Sequence, residues 1–410
     1  MRELNINELE LLNQKFGNGF YLLDSDVFLS NYRELKKAFE EFYSNFNIAY
    51  SYKTNYIPRL GKIVNSEGGF AEVVSDMELE IARRSGVRTN KIIWNGPVKN
   101  EDALEAFLLD GGTANIDNLE EWKLIAGIAK KNQSININVG VRCNFDVGDG
   151  VVSRFGIDIE SKDFHTVCSE ISTIKNVKLI SIQCHFAKRN PDYWDKRTET
   201  MLSVYDQLVA EYGLRPERID LGGALSGHMS DDFAKQIHVS NCGYMPFAES
   251  SAKLVAEHFN NSDFKPMLLI EPGTAVAADC MRAVFKVVNI KKVAGKAIAT
   301  VYGSQKNISM SGINPPITVV HGRGKQDNFI NLDFAGYTCI ENDYLYRNYT
   351  GALGIGDYII LHYCGSYSVV MKPPFIFPNF PVIDISNGVE NLEVIKEAES
   401  FDDLFHTYNF

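Results

Sequence analysis

A lysine lies near the end of the short stretch IAYSYKTNY, residues 48–56. The stretch is typical of a buried β-strand, and lysine is rarely buried unless the protein uses it. Lys53 therefore has two interpretations. Its long side chain could extend from the strand end to solvent, or its amine could act as a nucleophile in a site at that end.

Seven further β-rich stretches also end in polar residues or glycine. In chain order the strand-end residues are Lys53, Ser75, Asn95, Asp117, Arg142, His185, Gly222-Gly223 and Glu271. Helical patterns lie between the stretches, for example at 75–86, 118–131 and 192–213. One polar strand end means little, but eight that converge on one rim indicate a site. This pattern favours the functional interpretation of Lys53.

Eight strands that alternate with helices predict a (β/α)8 barrel. The predicted strands lie at 48–52, 71–74, 91–95, 113–116, 137–143, 178–185, 217–221 and 267–271. A doubly wound open sheet is the alternative, but the glycine-rich fingerprint after its first strand is missing. Alternating stretches at 283–304 and 356–375 predict antiparallel strands. We therefore expect a barrel at 24–282 and a β-rich domain formed by 283–410 together with 1–23.

The composition narrows the possible partners. The chain has 410 residues, of which 45% are hydrophobic and 23% charged, as in soluble globular proteins. A net charge of −11 without a basic stripe argues against nucleic acid. The acidic N-terminal segment argues against a signal peptide, and no apolar run is long enough to span a membrane. Seven cysteines without a CxxC pair argue against a zinc site or disulfide framework and predict a cytoplasmic protein.

Eight short segments along nearly the whole chain are similar, in order and spacing, to the motifs of one family. They are YSYKTN, FAEVVSDMELE, VSRFGI, QCHFAKR, IDLGG, IEPGT, YTCIENDYL and CGSYS. Through them the chain resembles the fold-type III pyridoxal-phosphate (PLP) decarboxylases, the group of diaminopimelate, ornithine and arginine decarboxylases. The resemblance implies an alanine racemase-like fold, PLP as cofactor and decarboxylation of an amino acid.

The resemblance also implies a role for each strand-end group. Lys53 would bind PLP covalently, and Glu271 would keep the pyridine nitrogen of PLP protonated. His185 would stack on the cofactor ring, while Gly222 and Gly223 would let backbone N–H groups approach its phosphate. Further positions that match the family's cofactor surroundings are Glu72, Glu78, Arg142 and Tyr367. For Glu72, Glu78 and Arg142 an ordinary network of rim salt bridges is the alternative.

A loop from the second domain would complete the site. In the family this loop crosses to the partner subunit, which implies a head-to-tail homodimer with two shared active sites. Cys339 would donate a proton after CO2 leaves, and Asp343 would pair with the basic residue Arg154. The positions that the resemblance places near the substrate are Ile340, Glu341, Asp343 and Phe375.

Several departures from the family motifs predict an altered specificity. Lys188 replaces the phosphate-binding serine, Thr274 replaces an arginine near the phosphate, and Ala224 replaces a third glycine. Our hypothesis is that Lys188 takes over the charge that is missing at Thr274. Ile340 replaces the acid that receives a distal amine, so substrates with a free distal ammonium are disfavoured.

Two other functions remain as alternatives. An amino-acid racemase of this fold would carry an arginine at the pyridine nitrogen, where this chain has Glu271, and a tyrosine as second base, where it has Cys339. A catalytically inactive regulatory paralogue would normally have lost the lysine or the phosphate contacts. Lys53 and Tyr367 are both retained, which favours an active enzyme.

Overall fold

The computed structural model describes residues 2–310 and 312–410. The strands, numbered in chain order, are β1 (Gly19–Leu23), β2 (Phe46–Ser51), β3 (Phe70–Val73), β4 (Ile92–Trp94), β5 (Thr113–Ile116), β6 (Ile137–Asn144), β7 (Ile157–Asp158), β8 (Val177–Gln183), β9 (Arg218–Asp220), β10 (Met267–Ile270), β11 (Met281–Val293), β12 (Lys296–Val301), β13 (Ile317–Val320), β14 (Asp327–Ala335), β15 (Tyr344–Leu353), β16 (Tyr358–Leu361), β17 (Val382–Asp384) and β18 (Glu393–Lys396).

The α-helices, numbered in the same way, are α1 (Ile6–Phe16), α2 (Ser25–Glu40), α3 (Pro58–Ser66), α4 (Asp76–Arg84), α5 (Glu101–Leu109), α6 (Leu119–Lys131), α7 (Lys162–Thr173), α8 (Trp194–Tyr212), α9 (Asp231–Gln236), α10 (Met245–Ala248), α11 (Leu254–His258), α12 (Thr274–Ala277) and α13 (Phe401–Phe405). Among the described residues, every helix is too short or too polar to cross a bilayer.

The contacts within the chain separate two compact units. The first comprises residues 31–227 and 242–275, and the second comprises 2–30, 228–241, 276–310 and 312–410. In the first unit, parallel strands pair in the order β5-β4-β3-β2-β10-β9-β8-β6, and pairing of β5 with β6 closes the ring. The predicted (β/α)8 barrel is therefore confirmed.

The barrel interior is layered because successive side chains of a strand point to opposite faces. One apolar layer is formed by Ala49, Phe70, Ile93 and Leu269. Two residues further along the same strands, towards their carboxyl ends, come Ser51, Glu72, Asn95 and Glu271. The period of two that buries the apolar layer therefore also directs these four polar side chains into the mouth of the barrel.

Local capping signals set the starts of the helices that follow the strands. Ser75 Oγ accepts the backbone N–H of Glu78 at 3.2 Å at the start of α4, and the side chain of Asn118 caps α6 in the same way. The Glu78 carboxylate bonds the N–H of Val74 at 2.8 Å. It thereby ties the end of β3 to the first turn of α4, and burial raises the pKa of Glu78 to about 7.

The second unit is built on a sheet in which β15, β14, β12, β11, β1, β17 and β18 are neighbours in that order. β1 pairs antiparallel with β11 and parallel with β17, while β16 joins β11 to β13. A core of buried apolar side chains covers this sheet, including Leu9, Leu12, Phe20, Val284 and Ile360. The expected β-rich second domain is therefore confirmed.

Candidate active site

Lys53 lies in a single 3-10 turn, Tyr52–Thr54, directly after β2. Its Nζ donates to Oε2 of Glu72 at 2.5 Å, and Ser51 Oγ donates to the same oxygen at 2.5 Å. Glu72 is fully buried, whereas 32% of the Lys53 side chain is exposed. The amine is therefore held beside a buried carboxylate and is still reachable by a small molecule, so Lys53 does not simply extend into solvent.

Asn95 connects two buried carboxylates. Its Nδ2 donates to Glu72 at 2.9 Å and to Glu271 at 2.6 Å, while its Oδ1 accepts from Asn115 Nδ2 at 2.7 Å. Asn115 in turn accepts from Ser181 Oγ at 3.0 Å. This chain of hydrogen bonds fixes the amide orientation of Asn95 and places the two carboxylates around one donor.

Glu271 follows β10 directly and is almost completely buried. Gln183 Nε2 donates to its Oε2 at 3.2 Å, which complements the bond from Asn95. Burial by itself raises the pKa of Glu271, but the positive charges of Lys53 and Arg142 oppose this effect, and the pKa of Glu271 lies below its ordinary value. Glu271 is therefore an ionised carboxylate in the interior of the barrel.

His185 lies 3.6 Å from Glu271, measured from Nδ1 to Oε2. The backbone N–H of Gly223 donates to the same Nδ1 at 3.0 Å, so the ring proton belongs on Nε2. Burial lowers the pKa of His185 and keeps the imidazole neutral. The histidine therefore presents a neutral ring whose orientation is set by the loop after β9.

The glycines of this loop are required by close packing. A Cβ on Gly222, at φ +69°, would lie 2.2 Å from the carbonyl oxygen of Cys184, and one on Gly223 would lie 2.6 Å from that of Glu271. The Gly222 N–H donates to Asp220 Oδ1 at 2.9 Å and the Gly223 N–H to His185. Contact of these N–H groups with a phosphate therefore stays a prediction, since both already donate within the chain.

The VSRFGI segment is anchored to the barrel rim. The N–H of Gly156 donates to Asp117 Oδ1 at 3.0 Å, and Arg142 lies 3.8 Å from the same oxygen. Gly156 is at φ +81°, and a Cβ there would lie 2.7 Å from the Arg142 carbonyl oxygen. Phe155 contacts the guanidinium groups of both Arg142 and Arg154. The glycine of this motif thus allows the segment to approach the strand end.

In the second unit, Cys339 is an exposed free thiol on the loop between β14 and β15. Asp343 organises this loop from a buried position. Its Oδ1 accepts from Ser304 Oγ at 3.0 Å and from the Gln305 N–H at 2.8 Å, and its Oδ2 accepts from Thr338 Oγ1 at 2.5 Å. Both oxygens are engaged within the chain, so the structure gives Asp343 a role in shaping the loop, and its pairing with Arg154 stays a prediction.

The other predicted residues of the second unit lie on two segments: Ile340 and Glu341 on the loop between β14 and β15, and Tyr367 and Phe375 after β16. Tyr367 has φ +60°, an unusual value for a residue with a side chain, and such strain is concentrated at functional sites. Phe375 and Glu341 are exposed, and Ile340 is half-buried. The Nζ of Lys372, on the same segment as Tyr367, is buried 4.5 Å from the centre of the Tyr21 ring, and burial lowers the pKa of Lys372 to about 7.

Five residues that support the barrel site were not among the residues predicted for it: Asn115, Ser181, Gln183, Arg197 and Asp220. Most of them lie in strands that are otherwise apolar, such as TANI and LISIQ. A polar residue within such a strand is the sequence signal that could have identified them. Asp220 is buried, and burial raises its pKa well above the ordinary value. The nearby negative charge of Glu271 raises the pKa of Asp220 further.

Arg197 connects two loops of the site from α8. Its guanidinium is completely buried and donates to the carbonyl oxygens of Gly223 at 2.8 Å, Leu221 at 3.1 Å and Phe186 at 3.4 Å. Burial lowers the pKa of Arg197 to about 10, so the group stays charged at neutral pH. One side chain therefore holds the loop after β8, which carries His185, against the loop after β9.

Replacing Arg197 by Met should lower the free energy of unfolding by about 3–5 kcal/mol, because several buried carbonyl groups lose their donor at once. Urea denaturation of the purified variant measures the effect. Arg197→Lys keeps the charge but cannot reach all three oxygens, and we expect it to fall between wild type and Arg197→Met. A methionine variant that unfolds at the wild-type urea concentration would contradict this role.

The geometry defines a class of protein. A (β/α)8 barrel carries at its strand ends a reachable lysine amine, a buried ionised carboxylate, a neutral imidazole and a close-packed glycine loop. The residues fit PLP, because an amine can bond its aldehyde and a carboxylate can hold a proton on its ring nitrogen. The buried Oε1 of Gln183, which has no hydrogen-bond partner among the described residues, adds an unused acceptor to the same interior.

The family model described as "Pyridoxal-dependent decarboxylase, pyridoxal binding domain" matches residues 28–278. The chain belongs to this family of PLP-dependent carboxy-lyases. The predictions of PLP as cofactor and of the fold-type III decarboxylase family are therefore confirmed.

Known relatives match over nearly the whole chain. The diaminopimelate decarboxylase of Methanocaldococcus jannaschii is 25% identical over 96% of this chain and 91% of its own length. The L-glutamyl-(BtrI acyl-carrier protein) decarboxylase of Niallia circulans is 25% identical over 98% of this chain and 97% of its own. The crystal structure of the M. jannaschii enzyme with L-lysine superposes with a TM-score of 0.86 at 21% identity, over 98% of this chain and 94% of that one. This last likeness shows that the fold is shared.

Proposed function

We propose that this enzyme decarboxylates an L-amino acid, free or as a conjugate, that lacks a free distal ammonium group. The observation that carries the proposal is the buried, ionised Glu271, held by amide donors from Asn95 and Gln183. PLP supplies a sink for the electron pair that CO2 leaves behind, and a carboxylate at its ring nitrogen deepens that sink.

The remaining residues of the chain would position groups and move protons. Lys53 would hold the cofactor through its amine, and neutral His185 would lie against the cofactor ring. Cys339 would return a proton to the α-carbon after CO2 has left. Its exposure supports this role, since a thiol must reach the substrate to donate.

The substrate class is inferred from Ile340. An apolar side chain at this position offers no partner for an ammonium group, and an unpaired cation would lose several kcal/mol on burial. The Niallia relative acts, by its name, on a glutamyl group borne by a carrier protein, which supports including conjugates among the candidates. Ile340→Glu should therefore improve kcat/KM for an amino acid with a distal ammonium relative to one without.

A screen of free and carrier-bound L-amino acids in D2O tests the activity. Release of CO2 together with one deuterium at the former α-carbon supports the proposal. Exchange of the α-hydrogen with the carboxylate retained would instead indicate a racemase. Lysine and diaminopimelate should be poorer substrates than amino acids with a neutral or acidic side chain, and preferred turnover of either would contradict the specificity.

We further propose that the enzyme is a cytoplasmic head-to-tail homodimer in which each active site combines Lys53 of one subunit with Cys339 of the other. The resemblance that links the Cys339 loop to a partner supports this arrangement. The seven cysteines are all free thiols in the structure, which is compatible with a reducing compartment.

Subunit mixing tests the shared sites. Lys53→Ala and Cys339→Ala homodimers should each be almost inactive. After the two variants are mixed and allowed to exchange subunits, half of the dimers are mixed, and each has one intact site, so roughly a quarter of the wild-type activity should return. Two Lys53→Ala preparations mixed in the same way are the control. Absence of any recovery, with subunit exchange verified by mass spectrometry, would contradict the shared site.

A further inference from the structure

The loops after β9 and β10 form a close-packed backbone surface at the mouth of the barrel. A Cβ on Gly227 would lie 2.3 Å from the carbonyl oxygen of Ala275, and one on Gly223 would lie 2.6 Å from that of Glu271. Side chains are therefore excluded from the seam between the two loops. In (β/α)8 barrels, phosphate groups frequently bind at the loops after the seventh and eighth strands. β9 and β10 are the seventh and eighth strands of this barrel.

Neither loop contains a lysine or an arginine. Residues 221–227 read LGGALSG and residues 271–275 read EPGTA. A phosphate group at this seam needs charge-assisted hydrogen bonds, because a doubly charged anion loses much of its hydration there. The cation must therefore come from outside these two loops.

Arg189, on the loop after β8, reaches this seam. Its Nη2 donates to Oγ1 of Thr274 at 3.2 Å, and the residue is half-buried. The planar guanidinium suits a phosphate because it can donate two parallel hydrogen bonds. Resting on the proposed function, we propose that Arg189 binds the phosphate of the cofactor and supplies the positive charge that the seam lacks.

The neighbouring lysine is placed differently. Lys188 is exposed, whereas the Arg189 side chain turns towards Thr274. The hypothesis that Lys188 takes over the missing charge stays a prediction, and the titration below compares Lys188 with Arg189 directly. Both residues carry one positive charge and are neighbours in the same loop, so each serves as the matched control for the other.

Titration of the apo-protein with two forms of the cofactor separates the contribution of the phosphate to binding from that of the rest of the cofactor molecule. We would titrate wild type, Arg189→Met and Lys188→Met with PLP and with pyridoxal, which lacks the phosphate, and follow bound cofactor by absorbance. Arg189→Met should weaken PLP binding by roughly 10- to 150-fold, the loss typical of a hydrogen bond to a charged group. Its affinity for pyridoxal should change by less than about threefold, and Lys188→Met should bind both compounds like wild type.

Three results would overturn the inference. Arg189→Met could bind PLP like wild type, it could lose PLP and pyridoxal equally, or Lys188→Met could show the selective loss instead. Thermal denaturation of both variants without cofactor checks that they fold. A wild-type protein that binds neither PLP nor pyridoxal would overturn the proposed function itself, a result distinct from the other three.

Discussion

Replacement of Lys53 by Ala should reduce the rate of CO2 release by roughly 10⁴-fold or more, because the chain loses the amine that bonds the cofactor. The geometry makes this amine hard to replace. It projects from a rigid turn after β2 and contacts Glu72 at 2.5 Å. Borohydride treatment of the wild-type protein with PLP should attach one pyridoxyl group, located at Lys53 by peptide mass spectrometry, and the variant should acquire none at this site.

Lys53→Arg is the matched control for this prediction. Arginine retains a positive charge beside Glu72, so we expect the variant to be about as stable as wild type, whereas Lys53→Ala leaves the buried carboxylate without its cation. Both variants should be equally inactive, because the guanidinium does not replace the amine as a nucleophile. Substantial activity in either variant, or a pyridoxyl group on another lysine of the wild type, would contradict the assignment of Lys53 as the lysine that bonds the cofactor.

Replacement of Glu271 by Gln should lower kcat by roughly 10²- to 10³-fold, the usual effect of removing one charge-stabilising group from an active site. The substitution removes the charge and also disturbs its hydrogen bonds. Asn95 and Gln183 donate to opposite oxygens of Glu271, so an amide in its place must direct its NH2 group at one of these donors. We therefore expect weaker cofactor binding in addition to the slower reaction.

Glu271→Asp separates charge from shape. It keeps the carboxylate but shortens the side chain by one methylene, and it should retain more activity than Glu271→Gln. Measurement of kcat across pH is informative because the pKa of Glu271 lies below its ordinary value. Protonation of Glu271 should therefore not reduce the kcat of the wild-type enzyme at neutral pH. A Gln variant with a wild-type kcat would show that the carboxylate does not assist the reaction.

Much of the fold follows from local patterns in the chain. The eight barrel strands and helices such as 118–131 lie within a few residues of their predicted positions, because a buried strand and an amphipathic helix leave a clear period in the sequence. Strand ends of a (β/α)8 barrel carry its chemistry, so Lys53, His185 and Glu271 could be singled out before any contact was known.

The tertiary structure alone decided which polar groups contact one another. Lys53, Asn95 and Glu271 are separated by 42 to 218 residues in the chain. Asn95 nevertheless donates both to Glu72, the carboxylate that Lys53 contacts, and to Glu271. Such bonds depend on side-chain direction and strand register across the closed ring, which no local period encodes. The same reason explains the difference between Lys188 and Arg189. The sequence alone does not distinguish these two adjacent cations. Only the path of the loop after β8 brings one of them, Arg189, to Thr274.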